Sequence, residues 1–267
     1  MPVILSGVDE AGRGSVFGPL IIVGVTLDQE SIQKLVAAGL KDSKLFTSAT
    51  AQKKRDKLAN KIKEYAQQTL ITEITAQNID QTLKNRPRDN LNLLELREIG
   101  NLIVKLTASE LVVDTIGPPI YARKHLMRII QSRDDQIQAN PISCTNDLCV
   151  FDIKPHNGFE KRVMISTGGD RKFPVVSAAS CVSKSIRDER LREIEQEWGL
   201  PSVTLGKGYP HATDSAITSF LENYRQEIQD RYFPFIRYSW AWPKLQNILH
   251  PPPKTLDELL QPPESME

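Results

Sequence analysis

The sequence predicts an α/β domain, a mixed five-stranded sheet flanked by helices, with a small helical extension at the C-terminal end. Three observations point there. Short apolar runs that stop on charge or glycine recur along the chain. The first two lie close enough in sequence to pair antiparallel. The later ones alternate with segments of helical periodicity, as strands joined by crossover helices do.

Residues 3–8 are the first such run and end on Asp9-Glu10. Residues 16–27 form a second strand, in which Gly18-Pro19 gives an irregular start. Residues 48–67 have helical composition, and 69–75 (TLITEIT) alternate as a third strand. Helices follow over 78–83 and 91–106, the latter with leucine and isoleucine at i, i+3, i+4 spacing. Residues 110–114 (ELVVD) make a fourth strand, stopped by Gly117-Pro118-Pro119. A helix over 121–131 leads to residues 132–161, which are polar and patternless and read as a surface insertion. Residues 162–166 are the last strand and run into Gly168-Gly169-Asp170. A long helix over 174–198 starts with small residues (VVSAAS), which suit close packing on a sheet. A glycine-rich loop at 202–210 and a helix over 214–230 follow. One domain therefore covers residues 1–242, with its C-terminal helices from about residue 211, and residues 243–267 are a proline-rich acidic tail.

The 267 residues are 40% hydrophobic and 25% charged, ordinary values for a globular protein. No apolar run approaches the ~20 residues of a membrane span, and a signal peptide's basic region and cleavage site are missing; a cytoplasmic protein is expected. Cys144, Cys149 and Cys181 are few and odd in number, which fits a reducing compartment without a disulfide framework. The net charge of +1 does not by itself point to nucleic acid. Residues 41–63, however, hold eight lysines and arginines against Asp42 and Asp56. A solvated helix face explains that run equally well.

The chemistry concentrates where strands end. Three separate strands stop on carboxylates: Asp9-Glu10, Asp114, and Asp170 after its glycines. If the strands are neighbours, like charges gather and repel unless protons or a divalent cation join them. An oxygen-only set without histidine favours Mg²⁺ or Mn²⁺ over zinc. Two such ions can activate water and stabilise a leaving oxygen in phosphodiester hydrolysis. Consecutive strand residues face opposite ways, so Asp9 and Glu10 share a site only where the strand ends or bulges. Any one strand-end aspartate is more often a turn former or cap, but several together favour a site. Cys144, Cys149 and His156 make too sparse a set for a zinc site.

DEAGRG after the first strand, KDSK at Lys41 to Lys44 and VDTIGPP around Asp114 resemble type 2 ribonuclease H, the ribonuclease HII family. GGDRKFPVVSAASCVSKSIRDE from Gly168 and GKGYP from Gly206 complete its motifs in order. The resemblance implies a ribonuclease H fold and a Mg²⁺- or Mn²⁺-dependent endonuclease that cuts RNA in RNA/DNA hybrids. It also implies incision of DNA on the 5′ side of a single ribonucleotide, leaving 3′-hydroxyl and 5′-phosphate ends. Asp9, Glu10, Asp114 and Asp170 would be the catalytic metal ligands. Gly12, Arg13 and Gly14 would read the ribose 2′-hydroxyl largely through backbone groups, and Tyr209 would pack on the next sugar. Lys44 and Lys184 would contact phosphate, with Asp188 behind the ligands. Ser15, Gly168 and Arg171 depart from the family pattern, the last two on either side of Asp170. A monomer is expected, with accessory subunits left open. The alternative is a non-catalytic nucleic-acid-binding protein of the same fold.

Overall fold

The computed structural model describes residues 3–40, 49–84, 89–115, 117–133, 137–154, 159–210 and 215–250. Lys44, His156 and the tail from residue 251 lie outside the described residues. In chain order the elements are β1 (Ile4–Ala11), β2 (Leu20–Asp28), α1 (Gln29–Ala37), α2 (Ala49–Tyr65) and β3 (Gln68–Ile74). Next come α3 (Ala76–Lys84), α4 (Leu91–Lys105), β4 (Glu110–Asp114), α5 (Pro119–Gln131), β5 (Gln138–Cys144), β6 (Leu148–Lys154) and β7 (Lys161–Ser166). The chain finishes with α6 (Gly169–Lys172), α7 (Pro174–Glu197), α8 (Ser215–Asn223), α9 (Arg225–Asp230) and α10 (Pro243–Leu249).

The sheet has seven strands in the order β3-β2-β1-β4-β7-β6-β5, two more than the sequence predicts. The extra pair, β5 and β6, comes from the segment read as a patternless insertion. β5 is an edge strand, exposed along most of its length and containing Pro141, so it lacks the alternation that marks a half-buried strand. Cys144 and Cys149 face each other across this hairpin and form a disulfide, contrary to the cysteine reading; Cys181 stays free and buried. The opening of the expected tail is also structured: α10 buries Leu245 and Ile248.

β1 and β2 pair antiparallel as expected, whereas β1–β4 and β4–β7 pair parallel. Parallel neighbours bring their C-terminal ends to one edge of the sheet, and those ends carry the carboxylates. One sheet face packs on α3, α4 and α5 through Val8, Ile22, Leu111 and Val113. The other packs on α1, α2 and α7 through Ile21, Val23 and Val112, with Val176 of α7 in the same cluster. α7 approaches β1 closely because Gly7 has no side chain; a Cβ there would stand 2.3 Å from the Val175 carbonyl oxygen. The C-terminal helices close over a third cluster around Phe17, Phe220, Phe233 and Phe235. Phe17 also bridges to Ile236, which draws the segment after β1 under that cluster.

Candidate active site

Register alone pairs the first two carboxylates. Val8 lies opposite Val113, so Asp9 and Asp114, one position on, extend from the same face of neighbouring parallel strands. Asp170 arrives from α6, directly after β7. Gly169 lets that helix abut β4: its N–H donates to Asp114 Oδ1 at 2.9 Å, and a Cβ would meet the Asp114 Cα at 3.5 Å. Carboxylate oxygens of Asp9, Asp114 and Asp170 all lie within 4.8 Å of one another. Burial, with Asp114 adding repulsion, lifts the Asp9 pKa to about 6, against the lowering effects of Ser180 and Lys184. Lys184 Nζ donates to Ser180 Oγ at 2.8 Å, and Ser180 in turn hydrogen-bonds Asp9. Lys184 is thus tied to the carboxylate cluster through a serine that the sequence presents only as a small packing residue.

Glu10 is not one of that trio, but its side chain hydrogen-bonds Asp9. β1 continues through Ala11, so Glu10 turns to the α4 face, and its N–H donates to Asp9 Oδ1 at 2.8 Å. Burial and then the charges of Asp9, Glu95 and Asp114 hold its pKa well above the usual range. Glu95, on α4, is buried and pairs with Arg13 Nε at 2.7 Å, while Arg13 Nη2 donates to Asn92. The Arg13 side chain is therefore anchored against α4. Nothing in sequence links Glu95 to Arg13, since 82 positions separate them.

Three side chains brace the Gly12-Arg13-Gly14 loop from behind. Gly12 adopts φ +88, and a Cβ would stand 2.5 Å from the Pro19 carbonyl oxygen. The buried Arg237 guanidinium donates to the carbonyls of Gly12 (2.7 Å), Arg13 (2.9 Å) and Gly18 (3.0 and 3.1 Å). Burial, then repulsion from Arg187, pushes the Arg237 pKa down to about 9, so it remains charged at neutral pH. Asp80 fixes the backbone after it by accepting from Tyr238 N and Ser239 N, both at 2.9 Å. Arg187, also buried, donates to Ser15 Oγ at 2.9 Å and to the Lys207 carbonyl, which joins the loop to the Gly206–Pro210 segment.

Tyr209 is the third brace. Its hydroxyl accepts from Gly12 N–H at 3.1 Å, its ring lies 3.7 Å from where a Gly14 Cβ would be, and the Arg187 guanidinium sits 4.9 Å over it. The structure thus unites Gly12, Gly14 and Tyr209, which the sequence holds 195 or more positions apart. Asp188 pairs with Arg55 (3.2 Å) and Arg187 (3.4 Å), one turn beyond Lys184 on α7. Gly168 takes the left-handed conformation that starts α6, and Arg171 folds back over it. A buried arginine in FPFIRYSW gives no local sign of its role; only its position between two aromatic pairs hints that it is packed rather than solvated.

The ribonuclease HII family model matches residues 6–144 and 143–242. The ribonuclease HII of Methanothrix thermoacetophila is 31% identical over 239 residues, covering 89% of this chain and 94% of that one. Among solved structures, ribonuclease H2 from Pyrococcus horikoshii OT3 superposes with a TM-score of 0.68 at 25% identity, covering 92% and 97% of the two chains. The RNase HII in a PCNA complex from Archaeoglobus fulgidus superposes at 0.66, with 23% identity and coverage of 96% and 99%, a likeness of fold. With this sheet and these strand-end carboxylates, the chain belongs to the ribonuclease HII family and is a ribonuclease H hydrolase.

Proposed function

We propose that the protein cuts the RNA strand of RNA/DNA hybrids, and cuts DNA on the 5′ side of single embedded ribonucleotides, by two-metal-ion hydrolysis. The observation that carries this reading is the convergence of Asp9, Asp114 and Asp170 oxygens within 4.8 Å. An all-oxygen donor set under mutual repulsion, with one member lifted to about pKa 6, fits Mg²⁺ or Mn²⁺. Asp9, Asp114 and Asp170 would hold the ions, with Glu10 completing the set from the adjoining strand face. Bound there, the cations would neutralise phosphate charge and lower the pKa of attacking water.

The chain's own groups do the rest. Carbonyls of Gly12 and Arg13 are turned inward to Arg237, so the N–H groups of Arg13 and Gly14 turn outward, because a trans peptide opposes the two. Two outward donors suit a ribose 2′-hydroxyl, which DNA lacks. Tyr209 lies against the loop and supplies a flat surface for the following sugar. Lys184 binds phosphate as a point charge. A non-catalytic binder would gain nothing from three converged carboxylates facing phosphate.

The test is a labelled DNA duplex with one ribonucleotide, beside an RNA/DNA hybrid and an all-DNA control, with Mg²⁺ or Mn²⁺. Cleavage of both ribose-containing duplexes and not of DNA is expected. Folded protein that cuts neither would overturn the proposal.

A further inference from the structure

Four exposed lysines share one face of α2. Lys53, Lys57 and Lys61 recur at i, i+4 and i+8 with Lys54 beside them, so all four fall within about 100° of helical arc. The opposite face buries Leu58, Ala59 and Ile62 against the sheet and α7. Carboxylates that could compensate the stripe are engaged elsewhere. Asp56 accepts from Ser185 Oγ at 2.7 Å and faces Arg192, and Asp188 is taken by Arg55. On the exposed face Glu64 appears only in the last turn. None of the four lysines makes a salt bridge among the described residues.

Topology sets the stripe beside the active-site end of the sheet. The segment leaving α2 docks at the opposite end: Gln67 N–H donates to the Thr26 carbonyl at 2.9 Å, and Thr26 is the register partner of Ser6, early in β1. A 17-residue helix rises about 25 Å, close to the length of β1, so its first turns stand level with Asp9. Side-chain contacts agree, since Arg55 meets α7 at Asp188, one turn beyond Lys184, and Asp56 meets it at Ser185, the residue after Lys184.

We infer that this face of α2 binds the sugar–phosphate backbone of the duplex flanking the cleavage site and so lengthens the substrate footprint; the inference rests on the nuclease reading above. Lys53 to Lys61 spans about 12 Å of rise, which at one phosphate per ~3.4 Å of axis for each strand faces roughly three phosphates.

Binding without divalent cation, by fluorescence anisotropy at several salt concentrations, tests it on single-ribonucleotide duplexes of about 12 and about 30 base pairs, where log K falls by ~0.9 per decade of salt for each phosphate neutralised. The proteins are the parent, a variant with Lys53, Lys54, Lys57 and Lys61 all changed to Gln, and one with all four changed to Arg. The parent's salt slope should be steeper on the long duplex. The Gln variant should lose about 2 to 3 units of that slope, and the Arg variant should keep it. An unchanged slope in the Gln variant, or an equal loss in the Arg variant, overturns the inference. Failure of the nuclease reading shows differently: the parent, given Mg²⁺ or Mn²⁺, would cut no ribose-containing duplex of either length.

Discussion

Arg237 and Gly12 stand 225 positions apart in sequence, and Arg237 Nη2 donates to the Gly12 carbonyl at 2.7 Å. The same guanidinium holds the next carbonyl, that of Arg13, and also that of Gly18. Among the described residues no acceptor meets the N–H of Arg13 or Gly14. A fork of five donors fixes both peptide planes at once, and a lysine ammonium has no such geometry.

Arg237→Lys should therefore keep the buried charge and lose the brace. Each hydrogen bond to a charged group contributes about 1.5–3 kcal/mol, so the loss of one or two lowers stability by about 1.5–6 kcal/mol in thermal unfolding. Per folded molecule, cleavage at a single ribonucleotide should fall at least about tenfold, the effect of 1.4 kcal/mol, and further than cleavage of a continuous hybrid. Equal losses on the two substrates would refute a role in ribose selection.

Asp9→Asn should abolish metal-dependent turnover while stabilising the metal-free protein. Asp9 titrates near 6 in the fold against 3.8 ordinarily. Its protonated form stabilises the fold fully below pH ~4, and that contribution is lost as pH rises through 6. Asparagine escapes the loss, so the variant gains up to about 3 kcal/mol at pH 7 and nothing at pH 4. Chelator-treated samples melted across that range check the sign; a gain that grew toward low pH would contradict it.

Tyr209→Ala should lose the single-ribonucleotide substrate more than the hybrid. Tyr209→Phe keeps the ring but leaves the Gly12 N–H without its acceptor, a cost of about 1–3 kcal/mol if no water replaces it. Phenylalanine should therefore fall between tyrosine and alanine on the single-ribonucleotide duplex. If phenylalanine matched alanine, the ring would have no role of its own.

Glu95→Gln removes the charge that pairs Arg13 and repels Glu10. Glu10 is held high by burial, Asp9, Glu95 and Asp114, so its pKa should fall in the variant. Cation binding then competes with protons only at lower pH, and the acid limb of the pH–rate profile should move downward. A limb that stays in place would separate Glu95 from the site.

Much of this site was legible because its chemistry is local. A strand running into Asp9, a strand into Asp114 and glycines around Asp170 announce themselves within a few residues each, and five strands follow from short apolar runs. The remainder depends on partners far along the chain. Glu95 reads as one of several charges on an amphipathic helix, and Ser180 as a small packing residue. Arg237 gives no local sign of the carbonyls it holds, which lie more than 200 positions away. β5 escaped because an exposed edge strand needs no apolar face. α1 escaped because it is short, although Asp28 ahead of Ser31 is the cap that starts it.

The Arg237 brace also imposes an order on synthesis. A ribosome releases Asp9, Asp114 and Asp170, with every strand of the sheet, well before residue 237 emerges. A nascent chain that has not yet reached Arg237 has all four strand-end carboxylates but lacks the guanidinium that holds the Gly12 and Arg13 carbonyls. On the proposed reading, ribose selection would then depend on a residue that is made after every strand of the sheet.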